Sequence, residues 1–151
     1  MAGINRMTTT IIDIADALVA ELNGNAFSRT FTAARAYYPT VELADMSVLH
    51  VTVVPKSKST TPINRISDQE DLAIDIGVQQ RFSAGADPIA EADGLMAFVD
   101  EIAAFLNRRP LAGLPALAWL GTDNENVYSP EHFAQFRQFT SVLTVTYRQF
   151  T

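Results

Sequence analysis

Asp68, Glu70, Asp71 and Asp75 stand in one short stretch of the chain. Four carboxylates so close could hold a divalent cation or orient a water for acid–base work. Asp71 and Asp75 are an even number of residues apart, so on a strand they share one face. Hydrophilic alternation along a solvated or lumen-facing strand explains those two without any metal, and is the simpler account. Just upstream, Lys56, Lys58 and Arg65 fall in the polar run KSKSTTPINRIS, residues 56–67. They could form a small basic patch, either on a solvated mobile loop or on a docking arm that orders when a partner arrives. The two histidines are isolated: His50 sits on the less apolar side of a strand, and His132 falls in the first turn of a short helix. A metal site or a nucleophile–base pair needs several such groups converging, and neither histidine has them at helical spacing. There is no GxGxxG or GxxxxGK[ST] phosphate cradle and no GxSxG elbow. Cysteine is absent, which excludes disulfides, thiolate metal sites and a cysteine nucleophile together. No catalytic, cofactor-binding or metal-ligating residue is assigned, and no enzymatic activity is expected.

The elements that carry these residues are read from periodicity. Ile11, Ile14, Ala15, Leu18, Val19 and Leu22 fall on one helical face. Thr10 stands at the N-cap with Asp13 in the first turn, and Asn23-Gly24 reads as a left-handed stop. Residues 27–38 (FSRTFTAARAYY) read as a strand ended by Pro39, and 46–54 as a second ended by Pro55. In 71–79, Leu72, Ile74, Ile76 and Val78 alternate with Asp71, Ala73, Asp75, Gly77 and Gln79, so a one-residue slip would bury carboxylates. Asp87-Pro88 opens a second helix with the stripe Leu95, Phe98, Val99, Ile102 and Leu106; Arg108 and Arg109 lie at its negative end before Pro110. A short strand is expected around 116–120, a turn over 122–126, a helical turn over 129–136 and a last strand over 139–147. Trp119 and the Phe133, Phe136, Phe139 series read as core, with a binding hot spot as the alternative for Trp119 and an interface for the phenylalanines. The sum is an α+β fold: a mostly antiparallel sheet of about four to five strands packed against two main helices.

At 151 residues the chain fits a single domain over 1–151, with 1–8 expected to be flexible. No apolar run approaches a membrane span, and Met1 to Met7 lack a signal-peptide core. The net charge of −6, from 11 basic and 17 acidic residues, argues against tightly held nucleic acid. An acidic protein can still line a passage through which DNA slides, because repulsion prevents sticking.

The order IIDIADALVAEL, SVLHVTVVP, a polar connection, DLAIDIGVQQRF, GLMAFVDEIAAFLNRR and the close FRQFTSVLTVTYRQ resembles the tail terminator (tail completion) proteins of long-tailed bacteriophages. The similarity spans most of 8–149 and rests on element order and the aromatic-plus-alternating ending. It implies an α+β fold and a hexameric ring at the head-proximal end of the tail tube. That ring ends tube polymerisation and offers the surface that a head–tail connector or stopper protein binds. Its expected partners are copies of itself, the tail tube protein and the connector, with genomic DNA passing through the lumen unbound and no membrane. Its expected location is the virion tail, and the host cytoplasm during assembly. Asp71, Asp75, Lys56, Lys58 and Arg65 are the lumen or interface candidates. Head–tail joining and minor tail proteins share the pattern and remain an alternative, as does a small metal-binding enzyme built on the four carboxylates.

Overall fold

A computed structural model describes residues 9–37, 48–83, 85, 87–125 and 127–151. The expected frayed lead over 1–8, Pro39, the start of the second strand at 46–47, and Asn126 lie outside the described residues. Helix α1 (Ile11–Asn23) starts on a reciprocal capping box: Thr10 Oγ1 accepts from the Asp13 N–H at 3.1 Å, and Asp13 Oδ2 accepts from the Thr10 N–H at 3.0 Å. It buries Ile14, Ala15, Leu18 and Leu22. Helix α2 (Pro88–Leu106) is capped by Asp87, whose carboxylate accepts from the Ile89 N–H at 3.0 Å, and it buries the expected stripe from Leu95 to Leu106. Between the helices in sequence lie β1 (Ala33–Arg35), β2 (His50–Pro62) and β3 (Asp68–Arg81). After α2 come β4 (Ala118–Asp123), the two-turn helix α3 (Pro130–Phe136) and β5 (Gln138–Phe150). The five strands make one sheet in the order β1-β2-β3-β5-β4; β1 pairs β2 parallel and the other three pairings are antiparallel. The fold is therefore α+β, as expected from the alternation.

One sheet face forms the core with α1 and α2. Val51, Val53, Leu72, Ile74, Ile76, Val78, Phe139, Leu143, Val145 and Tyr147 are buried there. The opposite, outer face carries the polar members of the alternation, as period-two side chains require. No described helix is long and apolar enough to cross a membrane.

Several local expectations are corrected. Over its described residues, 27–37, the expected strand at 27–38 is not one strand, since only Ala33–Arg35 pairs with β2. Phe27 and Phe31 turn instead toward α2, where their rings lie 5.1 to 6.2 Å from Phe98 and Phe105. Glu101 on α2 anchors that connection by accepting from Ser28 N (2.8 Å) and Ser28 Oγ (2.6 Å). Packing of these two half-buried rings against α2 outweighs their β propensity. Pro55 does not end β2: a bulge between Pro55 and Ser57 absorbs it, and the strand runs on to Pro62. Beyond Val53, β2 has no second neighbour among the described residues, and bulges and edges are where strands tolerate proline. The polar run 56–67 is therefore mostly strand, with only a short turn at 63–67. Gly24 has φ −85°, so α1 ends in a right-handed conformation, not a left-handed one. Arg108 has φ 56°, beyond the Asn107 cap. Arg109 does not sit in the last turn of α2; its guanidinium lies 4.0 Å from the Phe105 ring and pairs with Glu21 at 2.6 Å, tying α2 to α1.

Candidate functional site

Strand register arranges the outer face in rows. Ser59, Asp71, Arg148 and Ala118 form one row, Val54, Asp75, Thr144 and Asp123 another, and His50, Gln79 and Thr140 a third. In the first, Arg148 Nε donates to Asp71 Oδ1 at 2.7 Å and Nη2 to Oδ2 at 3.1 Å, a two-pronged grip fixed by strand pairing. Hydrogen bonds from Arg148 hold the Asp71 carboxyl below its usual range and raise the guanidinium in turn. In the second row, Thr144 Oγ1 donates to Asp75 Oδ1 at 2.6 Å, and Lys56 Nζ lies 3.8 Å from the same oxygen. Asp71 and Asp75 do share the outer face, as the alternation requires. Each of these two faces a cation, whereas Asp123 and Glu125 at the β4 end of the same face add negative charge that no ion pair among the described residues offsets.

The same alternation sends Glu70 to the helix side. There it accepts from Gln149 Nε2 at 2.8 Å and pairs with Lys58 Nζ at 3.3 Å, while Gln149 Nε2 also donates to the Thr9 carbonyl at 2.7 Å. Lys56 and Lys58 thus lie on opposite faces, separated by the bulge, and Arg65 is on the turn beyond. The three cations do not form a patch. Nor do the four carboxylates converge: among the described residues, no three His, Cys, Asp or Glu side chains are grouped to hold a metal ion.

Two open grooves cross the outer face. One of about 490 Å³ is lined by Lys56, Asp123, Asn124, Glu125 and Thr144. The other, about 520 Å³, runs along residues 128–132 beside Thr140 and Val142. In the second, His132 Nδ1 lies 2.8 Å from Thr140 Oγ1, which also accepts from Gln138 Nε2 at 2.9 Å, pinning α3 to the start of β5. His132 therefore sits beside Thr140, at the opposite end of the row from His50.

The negative charge is concentrated in the helical layer. Asp13, Asp16 and Glu21 on α1, and Glu91, Asp93, Asp100 and Glu101 on α2, stand without any Lys, Arg or His inside either helix. Arg35 reaches Asp16 at 2.7 Å and Arg109 reaches Glu21, leaving the exposed side of α2 acidic. The geometry is that of a two-faced plate: one broad sheet face where the Asp71–Arg148 and Asp75–Lys56 pairs lie among hydroxyls, and an acidic layer of helices behind it. No protein-family model matches the chain, and no curated protein is similar enough to it to count as a match.

Proposed function

We propose that the chain is a structural virion protein: a tail terminator whose copies form a hexameric ring at the head-proximal end of a phage tail tube. The ring caps the tube, ends its polymerisation and presents the surface to which the head–tail connector binds. The observation that carries this reading is the succession of elements along the chain: a capped helix, the long β2–β3 pair, a second helix, and a closing alternating strand. That is the element order on which the resemblance to tail terminators rests. The charge distribution supports it and relocates one part. DNA must pass such a ring without being held, and like charge on the passage wall achieves this. The acidic α1–α2 layer suits that wall, whereas the outer sheet face, where Asp71 and Asp75 each meet a cation, suits contact with an adjoining ring.

The test is direct. Electron micrographs of the purified protein should show annular particles, and adding it to polymerising tail tubes should stop their growth. A protein that stays monomeric and leaves tube length unchanged would reject the reading.

A further inference from the structure

The turn between β2 and β3 is stiff. Asn64 Oδ1 accepts from the N–H groups of Ile66 and Ser67, both at 2.9 Å, and the Ser67 carbonyl accepts from Ile63 N at 2.9 Å and Asn64 N at 3.3 Å. This turn holds two isoleucines in the open: Ile63 is 52% exposed and Ile66 87%, with Arg65 between them. A hydrogen-bonded turn that presents apolar side chains is already shaped for a partner, because little ordering remains to be done on binding.

At the other end of β3 the chain carries a matching recess. A groove of about 180 Å³ opens between α2 and α3, lined by Ile89, Ala92, Met96, Tyr128 and Phe133, with Asp93 beside them. Its wall is firm, since Phe133 packs edge-on against Phe82 and Tyr128 at 5.2 and 5.9 Å. Ile89 and Tyr128 remain 67% and 43% exposed at its mouth. Strand β3 leads from the turn at Asp68 to this recess at Arg81. At about 3.3 Å per residue, the two features stand on the order of 40 Å apart, and they cannot meet within one chain.

We propose that the 63–67 turn of one copy seats in the α2–α3 groove of the next, with Ile63 and Ile66 on the apolar wall and Arg65 facing Asp93. The occupant is a second copy of this chain because plug and recess match in polarity and carry opposite charge at opposite ends of one molecule. Such a contact is head-to-tail: it joins unlike surfaces, and the rotation it imposes decides between a closed ring and an open filament. The proposal supplies a subunit contact for the ring described above and rests on that reading only for closure.

Two variants of the full chain at exposed positions test it. Ile66→Asp spoils the plug and keeps the groove; Ile89→Asp spoils the groove and keeps the plug. In sedimentation at micromolar concentration, wild type should assemble and each variant should run as a folded monomer. An equal mixture of the two should give dimers and nothing larger, because one good contact remains. Arg65→Glu and Asp93→Arg should each weaken association by about tenfold at low salt, and together restore it. A monomeric wild type, assembly by either Asp variant, or a mixture that stays monomeric overturns the proposal. Rings that persist in Ile66→Asp remove this contact and leave the terminator reading standing. Open chains that vanish in Ile66→Asp establish the contact and reject the closed ring.

Discussion

Arg148 grips Asp71 across the β3–β5 pairing with two hydrogen bonds, although the residues are 77 positions apart in sequence. The pairing sets them opposite each other because Leu72 and Tyr147, one position away on each strand, must both face the core. The ion pair is thus a consequence of apolar register: where the core faces match, the outer faces match too.

This geometry predicts a pH dependence. Hydrogen bonds from Arg148 place the Asp71 carboxyl below its ordinary value of 3.8, so the folded state holds its proton less tightly than the unfolded chain does. The stabilisation is fully present above the unfolded value and is lost as pH falls through the lower folded value. Urea unfolding of wild type and Asp71→Asn should therefore differ by a constant amount at neutral pH, and the difference should fade below pH 3.8. A gap that widens on acidification would contradict the assignment.

Tyr147 gives an opposite kind of prediction. Its ring is 1% exposed, and its hydroxyl has no hydrogen-bond partner among the described residues. Burial, with Glu21 adding repulsion, pushes the phenol above its usual range, so it stays protonated throughout the accessible pH range. Removing an unpartnered buried hydroxyl relieves a desolvation cost and leaves the ring packing intact. Tyr147→Phe should be neutral to about 1 kcal/mol more stable in urea unfolding. A clear loss of stability would show that the hydroxyl is bonded.

The parts legible in the sequence were those with one buried face. Leu72, Ile74, Ile76 and Val78 are all 0% exposed, and their alternation with polar residues marks β3 directly. The capping residues Thr10 and Asp87 mark both helix starts in the same way. The outer half of β2 was not legible because residues 56–62 are exposed on both faces, so no apolar period exists to be read. Phe27 and Phe31 misled for a related reason: aromatic residues favour strands, but long-range packing on α2 claimed these two. Of the candidate site, the shared face of Asp71 and Asp75 followed from alternation, whereas their cations did not. A single chain carries no register between distant strands, and the bulge that parts Lys56 from Lys58 shows in composition only as Pro55.

Gln149 should act as a tie between chain ends. Its amide donates to Glu70 on β3 and to the Thr9 carbonyl just before α1, and it is itself 5% exposed. Gln149→Leu would leave a buried carboxylate and a backbone carbonyl each short of a donor, at a cost of about 1–3 kcal/mol. Hydrogen exchange should then quicken in the first turn of α1 and remain unchanged in α2. Uniform acceleration across both helices would show that the effect is global and not a local release of the α1 start.

Gly94 lies inside α2, where glycine is less favourable than alanine by about 0.5–1 kcal/mol. A methyl group added there would meet Arg29 Nη2 at 2.6 Å, too close to keep. What it meets is the far end of a long side chain, which can swing aside at little cost, so propensity should win. Gly94→Ala is expected to raise the unfolding free energy by several tenths up to about 1 kcal/mol. In an Arg29→Ala background the obstruction is gone, and the same substitution should show the full propensity gain. If Gly94→Ala destabilises the wild type but stabilises the Arg29→Ala protein, the guanidinium is held firmly against α2, and the coupling between the two substitutions measures how firmly.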